Sequence, residues 1–374
     1  MNARGPRDRG WTRRSWLISL IAAPRVGAQK RRLWPAERFP YADPATEFLV
    51  ERLTNPAHSS FLPPPHGRAL ARKGGFLLLA SDRSGSFQLY RMDERTGECE
   101  QLTEASSLDP RAFTLTADDR GFCYFDGPTL YRASLRNLKA RAIYRVPEGW
   151  RREPGFGLSP DGRHLAIVES RAGRWSLRMI RTSNGNALTL VERPAPMGDP
   201  APGLREQQVL YLHEGSLWLA SRRPQTHQPL PAPAGRVLQA FWSSDGLRVI
   251  YLHQPAERGK LSALREYELR TGVDRLVAST SQFASFAVNS DESVFLGASG
   301  SVASPYVLLL LRMTRRELTL CEHGAADAAR VRPTFSADSR RIYFQSDREG
   351  KPALYRMNVE RLVEPTDSSA SDNP

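Results

Sequence analysis

Ser243-Ser244-Asp245-Gly246 runs into Leu247-Arg248-Val249-Ile250-Tyr251-Leu252-His253. Small polar residues ending in Asp-Gly favour a tight turn, and the run of β-branched and aromatic residues after it favours a strand. The phrase recurs as Thr116-Ala117-Asp118-Asp119, Ser159-Pro160-Asp161-Gly162, Asn289-Ser290-Asp291-Glu292 and Ser336-Ala337-Asp338-Ser339, each followed by a β-rich stretch. The aspartates are spaced 43, 84, 46 and 47 residues apart, so the long gap holds two periods and a degenerate unit near Gly203, before Val209-Leu210-Tyr211-Leu212-His213. A period of about 44 residues is the size of one four-stranded propeller blade.

A second phrase marks both ends of the array. Ser81-Asp82-Arg83-Ser84-Gly85 leads to Leu89-Tyr90-Arg91-Met92, and Ser346-Asp347-Arg348-Glu349-Gly350 leads to Leu354-Tyr355-Arg356-Met357. Seven units result, and the last lacks an obvious fourth strand. The stretch Glu47-Phe48-Leu49-Val50-Glu51-Arg52-Leu53-Thr54 resembles Glu98-Cys99-Glu100-Gln101-Leu102-Thr103, the fourth strand of the first unit. The expected fold is therefore all-β: a seven-bladed β-propeller whose last blade is closed by an N-terminal strand, which removes an open sheet edge. The expected organisation is an export signal over residues 1–28, a Pro/Arg-rich lead-in over 29–44, the propeller over 45–363 and a polar tail over 364–374.

Composition sets limits. Apolar residues make up 40% and charged residues 25% of 374, enough for a large core. No run of 18 apolar residues exists to span a membrane. Three cysteines, Cys99, Cys123 and Cys321, form no disulfide framework and no zinc pair. The net charge is +13, carried by arginine. Guanidinium pairs bidentately with carboxylate or phosphate, so acidic ligands are favoured. Nucleic acid is disfavoured because the basic residues are scattered, without a basic helix or an aromatic–basic string.

Residues 1–28 combine a basic start, a short apolar stretch from Trp16 to Ala23, and Val26-Gly27-Ala28 as a cleavage motif. Thr12-Arg13-Arg14-Ser15-Trp16-Leu17 resembles a twin-arginine export signal. Removal of this segment would take away six arginines and one aspartate and leave a charge of +8. The expected location is periplasmic or extracellular.

Several stretches are more specific. Tyr144-Arg145-Val146-Pro147-Glu148-Gly149-Trp150, Phe241-Trp242-Ser243-Ser244-Asp245-Gly246, Cys321-Glu322-His323 and Arg332-Pro333-Thr334-Phe335-Ser336 fall in order with Ser346-Asp347-Arg348-Glu349-Gly350-Lys351-Pro352-Ala353. Together they resemble the oligogalacturonide lyases of polysaccharide lyase family 22, within the broader TolB-type propellers. The resemblance implies pectin-derived oligogalacturonide as ligand and β-elimination as the reaction. It also implies a divalent metal such as manganese, held by three histidines and a glutamine, and a histidine base. Here the chain departs from the family. Arg330-Val331-Arg332-Pro333 stands at the expected His-Pro-His-Pro, Asp327 at the expected glutamine, Ser281-Gln282-Phe283-Ala284-Ser285 where a further histidine is due, and Gln239 at the base. Guanidinium has no lone pair for a metal and repels it.

The expected ligand-binding residues are accordingly Arg330, Arg332, Gln282 and Trp242, with no metal ligands and no cofactor unless the family site is rebuilt. His66 and Gln239 are the catalytic candidates. His213 and His323 read as turn or packing residues. Trp150, Trp242 and Tyr306 are aromatic faces on which a sugar could stack. Three functions stay open: a monomeric propeller recognising acidic oligosaccharide with its metal-dependent elimination lost or remodelled, a non-catalytic TolB-like propeller for an envelope protein partner, and a metal-independent lyase.

Overall fold

The computed structural model describes Met1 and residues 32–204, 208–222 and 225–362. The twin-arginine-like stretch and the polar tail lie outside the described residues. Among those described, seven antiparallel sheets form the blades, and in blades two to six the inner strand comes first in sequence. The fold is the expected all-β seven-bladed propeller.

The recurring turn phrase is the device that starts each blade. The Ser243 hydroxyl donates to Asp245 Oδ1 (2.6 Å), which also accepts the Leu247 N–H (2.8 Å), while Arg248 N–H donates back to Ser243 Oγ. These bonds hold the Asp245 carboxyl below its usual range. Ser159 and Asp161 repeat the pattern, as do Thr116 and Asp118. The motif is spent on folding and leaves little for chemistry.

One hydrophobic cluster fills each of the seven blade junctions. The junction that closes the ring holds Leu53, Leu77, Tyr90, Tyr343 and Leu354. Leu49–Arg52 pairs with Ala353–Asn358, placing Val50 opposite Met357, so the N-terminal strand completes the last blade as the repeat implies. The degenerate unit is blade four, whose second strand is Gln208–His213.

The lead-in expected to precede the ring is part of it. Leu33–Trp34 adds a fifth strand to blade one, and Phe39–Ala42 adds a fifth to blade seven. Ten residues thus cover the outer edges of the two blades that close the ring. Buried Asp43 then accepts Glu322 N–H (2.9 Å), which ties the strap to blade six. Proline and arginine hide the strand signal here, because edge strands tolerate both.

Candidate ligand channel

Blade one has the shortest inner strand that leads on to an irregular crossing, Ser60–Phe61 followed by Leu62-Pro63-Pro64-Pro65-His66. Three prolines in a row have no N–H to offer a sheet ladder, so the chain leaves the sheet. Leu62 N–H donates to Gln345 Oε1 of blade seven (2.9 Å), and His66 C=O accepts Leu158 N–H of blade three (3.1 Å). The His66 ring meets Phe241 of blade five edge-on at 5.3 Å between centroids. A five-residue segment that touches blades seven, three and five lies across the axis of the ring. It forms a plug at the channel's waist.

Two chambers flank the plug, and Pro64, Pro65, Asp199 and Arg332 line both. The smaller, about 310 Å³, sets the charged Arg111, Asp327, Arg330 and Asp347 among apolar residues such as Phe61, Pro154 and Pro352. The larger, about 550 Å³, has walls of Leu238, Phe241, Trp242 and Val288. A third cavity of about 770 Å³ lies off the axis, between blades one and seven. Two of its arginines are held at the blade contact: Arg356 with Glu51 and Glu94 C=O, Arg341 with Glu94. That cleft is a seam of the closing junction.

Inner strands of blades two to six all carry a register break, at Leu108/Phe113, Arg152/Phe156, Gly198/Ala201, Val237/Gln239 and Phe283/Ser285. A bulge turns side chains that would alternate. This decides which expected residues meet. Arg332, Gln239 and Trp242 all border the larger chamber. Gln282 does not border either chamber: it is exposed, has φ +57°, and precedes its strand. The bulge brings Ser285, three residues later, to the channel.

Arg332 sits at the waist with φ +49°, and its NH1 donates to Leu62 C=O (2.9 Å). Burial, with Arg111 and Arg330 adding repulsion against the pull of Asp199, pushes its guanidinium down to about 10. No carboxylate among the described residues lies within ion-pairing distance of it. Arg330 differs: its side chain is 71% exposed and pairs with Asp327 at 3.2 Å, at the mouth of the smaller chamber. Gln239 is buried, and its Oε1 accepts Phe286 N–H (2.9 Å), locking blade five to blade six. Its Nε2 donates to no described residue. Trp242 Nε1 donates to Ala201 C=O (2.8 Å), and its ring covers Gly203, where a Cβ would stand 3.0 Å away. The His66 ring makes no hydrogen bond to a described residue. Burial lowers its pKa, with Asp199 opposing.

The remaining buried histidines are structural. His213, His253 and His323 each bond a backbone carbonyl, at Pro196, Pro233 and Ser299. Two channel residues escape the sequence reading. Arg111 sits on a strand whose Asp109-Pro110 breaks alternation, and Asp199 in Gly198-Asp199-Pro200 has φ +49°. A charged residue between Gly and Pro inside an inner-strand position is the signal that could have found the second.

No family model matches the chain. The oligogalacturonide lyase of Pectobacterium atrosepticum is 23% identical over 382 residues, covering 85% of this chain and 95% of the relative. The oligogalacturonate lyase of Dickeya dadantii is 22% identical with the same coverage. The chain is related to the oligogalacturonide lyases. Two solved oligogalacturonate lyases share its fold at TM-score 0.82. One is a complex with manganese (21% identity, 88% of this chain and 98% of that one), and the other is from Vibrio parahaemolyticus (20% identity, 90% and 100%).

The donor set here does not fit the manganese of that oligogalacturonate lyase complex. Among the described residues no three His, Cys, Asp or Glu side chains come together to hold a metal ion. At the positions where the lyase resemblance implies imidazole, Arg332 brings a fixed positive charge into the waist.

Proposed function

We propose that the protein recognises short acidic oligosaccharides of the uronate class at the waist of its channel, with metal-dependent elimination lost. One observation carries the reading. Arg332 is a partly buried guanidinium that lines both chambers and, among the described residues, has one backbone partner and no carboxylate partner. A buried cation without its counter-ion is costly, and a bidentate carboxylate removes that cost. Arg111 and Arg330 at the smaller chamber suit a second uronate unit. The N-terminal sequence grammar supports an exported protein, where such sugars occur as free oligomers.

Calorimetric titration with digalacturonate tests this. Binding is expected with or without chelator. Arg332→Met should weaken it at least tenfold, since a charge-assisted hydrogen bond contributes about 1.5–3 kcal/mol. Binding that Arg332→Met leaves unchanged, or that chelator abolishes, overturns the reading.

A second reading, metal-independent elimination, is favoured by His66. Its partly buried ring has a pKa lowered by burial, makes no hydrogen bond to a described residue, and stands beside the same waist. Turnover of digalacturonate, followed by the ultraviolet absorbance of the unsaturated uronate, supports this reading if it survives chelator and disappears in His66→Gln.

A further inference from the structure

The plug separates two chambers with mixed polar and apolar walls, and the larger offers a sugar few free partners. A uronate ring carries several hydroxyls that each need a partner when buried. Much of the larger chamber's polar lining is already committed. Ser285 Oγ donates to Ala328 C=O (2.9 Å), and the Asn289 amide donates within its own turn to Asp291 (2.6 Å) and Ser293 (3.1 Å). Ser244 is bonded to Glu292, whose other oxygen is taken by Arg248. Ser290 has only a 3.5 Å contact with Ser339 and the Thr334 hydroxyl bonds no described residue, while the charged and amide groups with donors or acceptors left over are the Arg332 guanidinium, the Asp199 carboxylate and the Nε2 amide of Gln239. The rest of the wall is apolar or aromatic, with Leu238, Phe241, Trp242 and Val288 each partly exposed to the space.

A concave apolar space with a few convergent donors at one end is the form of a small-molecule site. We infer that the larger chamber is a second binding site, for a compact aryl carboxylic acid whose carboxylate meets Arg332 and Gln239 and whose flat body lies along Phe241 and Trp242. Guanidinium and amide together present donors to both carboxylate oxygens. The aromatic body replaces water from the apolar wall, and the ring contacts add to that burial. The site shares Arg332 with the uronate reading and otherwise stands apart from it.

Titration calorimetry with trans-cinnamate on the whole chain tests the site, with cinnamamide and acetate as probes that lack the charge or the body. Cinnamate should bind with one-to-one stoichiometry, and both probes at least tenfold more weakly. Gln239→Glu is the informative variant. It keeps the oxygen that accepts Phe286 N–H, so blades five and six stay locked, but it sets a carboxylate against the ligand's own. Cinnamate affinity should drop at least tenfold while the thermal melt is preserved. Trp242→Leu should weaken cinnamate severalfold. Absence of cinnamate binding, equal binding of cinnamamide, or Gln239→Glu binding as the parent does would each overturn the inference. Cinnamate binding alongside a failure of digalacturonate to bind would sink the uronate reading and leave this one standing.

Discussion

His323 shows how a single side chain can carry pH dependence in this ring. Its Nδ1 accepts the Ala325 N–H (3.0 Å), so that nitrogen must be unprotonated, and Nε2 then donates to Ser299 C=O (2.9 Å). Burial is the main cause of its lowered pKa; the Ser299 bond and Asp347 oppose it, and Arg348 adds to it. His66, His164 and His253 are lowered as well, each chiefly by burial. The unfolded chain takes up these protons near the ordinary histidine value of about 6.5, where the folded chain still refuses them. The stability these groups contribute is therefore complete above that value and is lost as pH falls through it toward the folded pKa. Urea midpoints measured between about pH 7.5 and 5 should decline with falling pH. His323→Gln should make that decline shallower; a midpoint flat across the range would refute the assignment. At this scale the sequence separates roles poorly. Arg330 and Arg332 are two letters apart and read alike, yet one is an exposed ion pair with Asp327 at the mouth of the smaller chamber and the other lines both chambers.

The inner strands decide what reaches the channel, and their bulges are the part of the site that no periodicity announces. A strand's alternation predicts which side chains share a face only while the ladder is unbroken. Gln282 is the residue this misplaces, and Asp199 is the one it hides. The triproline run is legible as a break in a strand, but that the freed chain crosses the ring depends on partners in blades seven, three and five, which lie far away in sequence. Blade three against blade four supplies a test of how tightly these elements hold the waist. A Cβ on Gly157 would stand 2.2 Å from Pro200 C=O and 3.2 Å from His66 Cβ, so backbone would have to move. Gly157→Ala should cost about 1–3 kcal/mol, as overpacking does. It should also weaken digalacturonate more than its stability loss explains, because Asp199 and His66 move together. A variant with parental midpoint and affinity would show that the strands part freely.

The ring as a whole is held by its last junction, and here the sequence is most informative. Five turn phrases, with one gap of two periods and the paired Ser-Asp-Arg phrases at the ends, fix the blade count, and the likeness of residues 47–54 to 98–103 identifies the closing strand, because every blade solves the same packing problem with the same few residues. What stays illegible is the strap, since Leu33–Trp34 and Phe39–Ala42 gain strand character only from the edges they cover. Closure has a measurable consequence. Leu53 is 1% exposed, packs between the last and first blades, and follows directly on the closing strand, with its N–H donated to Leu354 C=O (2.7 Å). Leu53→Ala removes apolar contact beside the pairing of Leu49–Arg52 with Ala353–Asn358, where the ring is closed by hydrogen bonds between the two ends of the array, and a buried leucine truncation costs about 2–5 kcal/mol. Comparison with Leu77→Ala, in the same cluster but within blade one, separates closure from ordinary core loss. Both should lower the urea midpoint. Only Leu53→Ala should in addition speed amide exchange across Leu49–Arg52 and Phe39–Ala42 while the inner blades stay protected, because opening at the junction frees those strands first. Equal exchange in the two variants would mean that the ring opens everywhere at once and that the N-terminal strand is no latch.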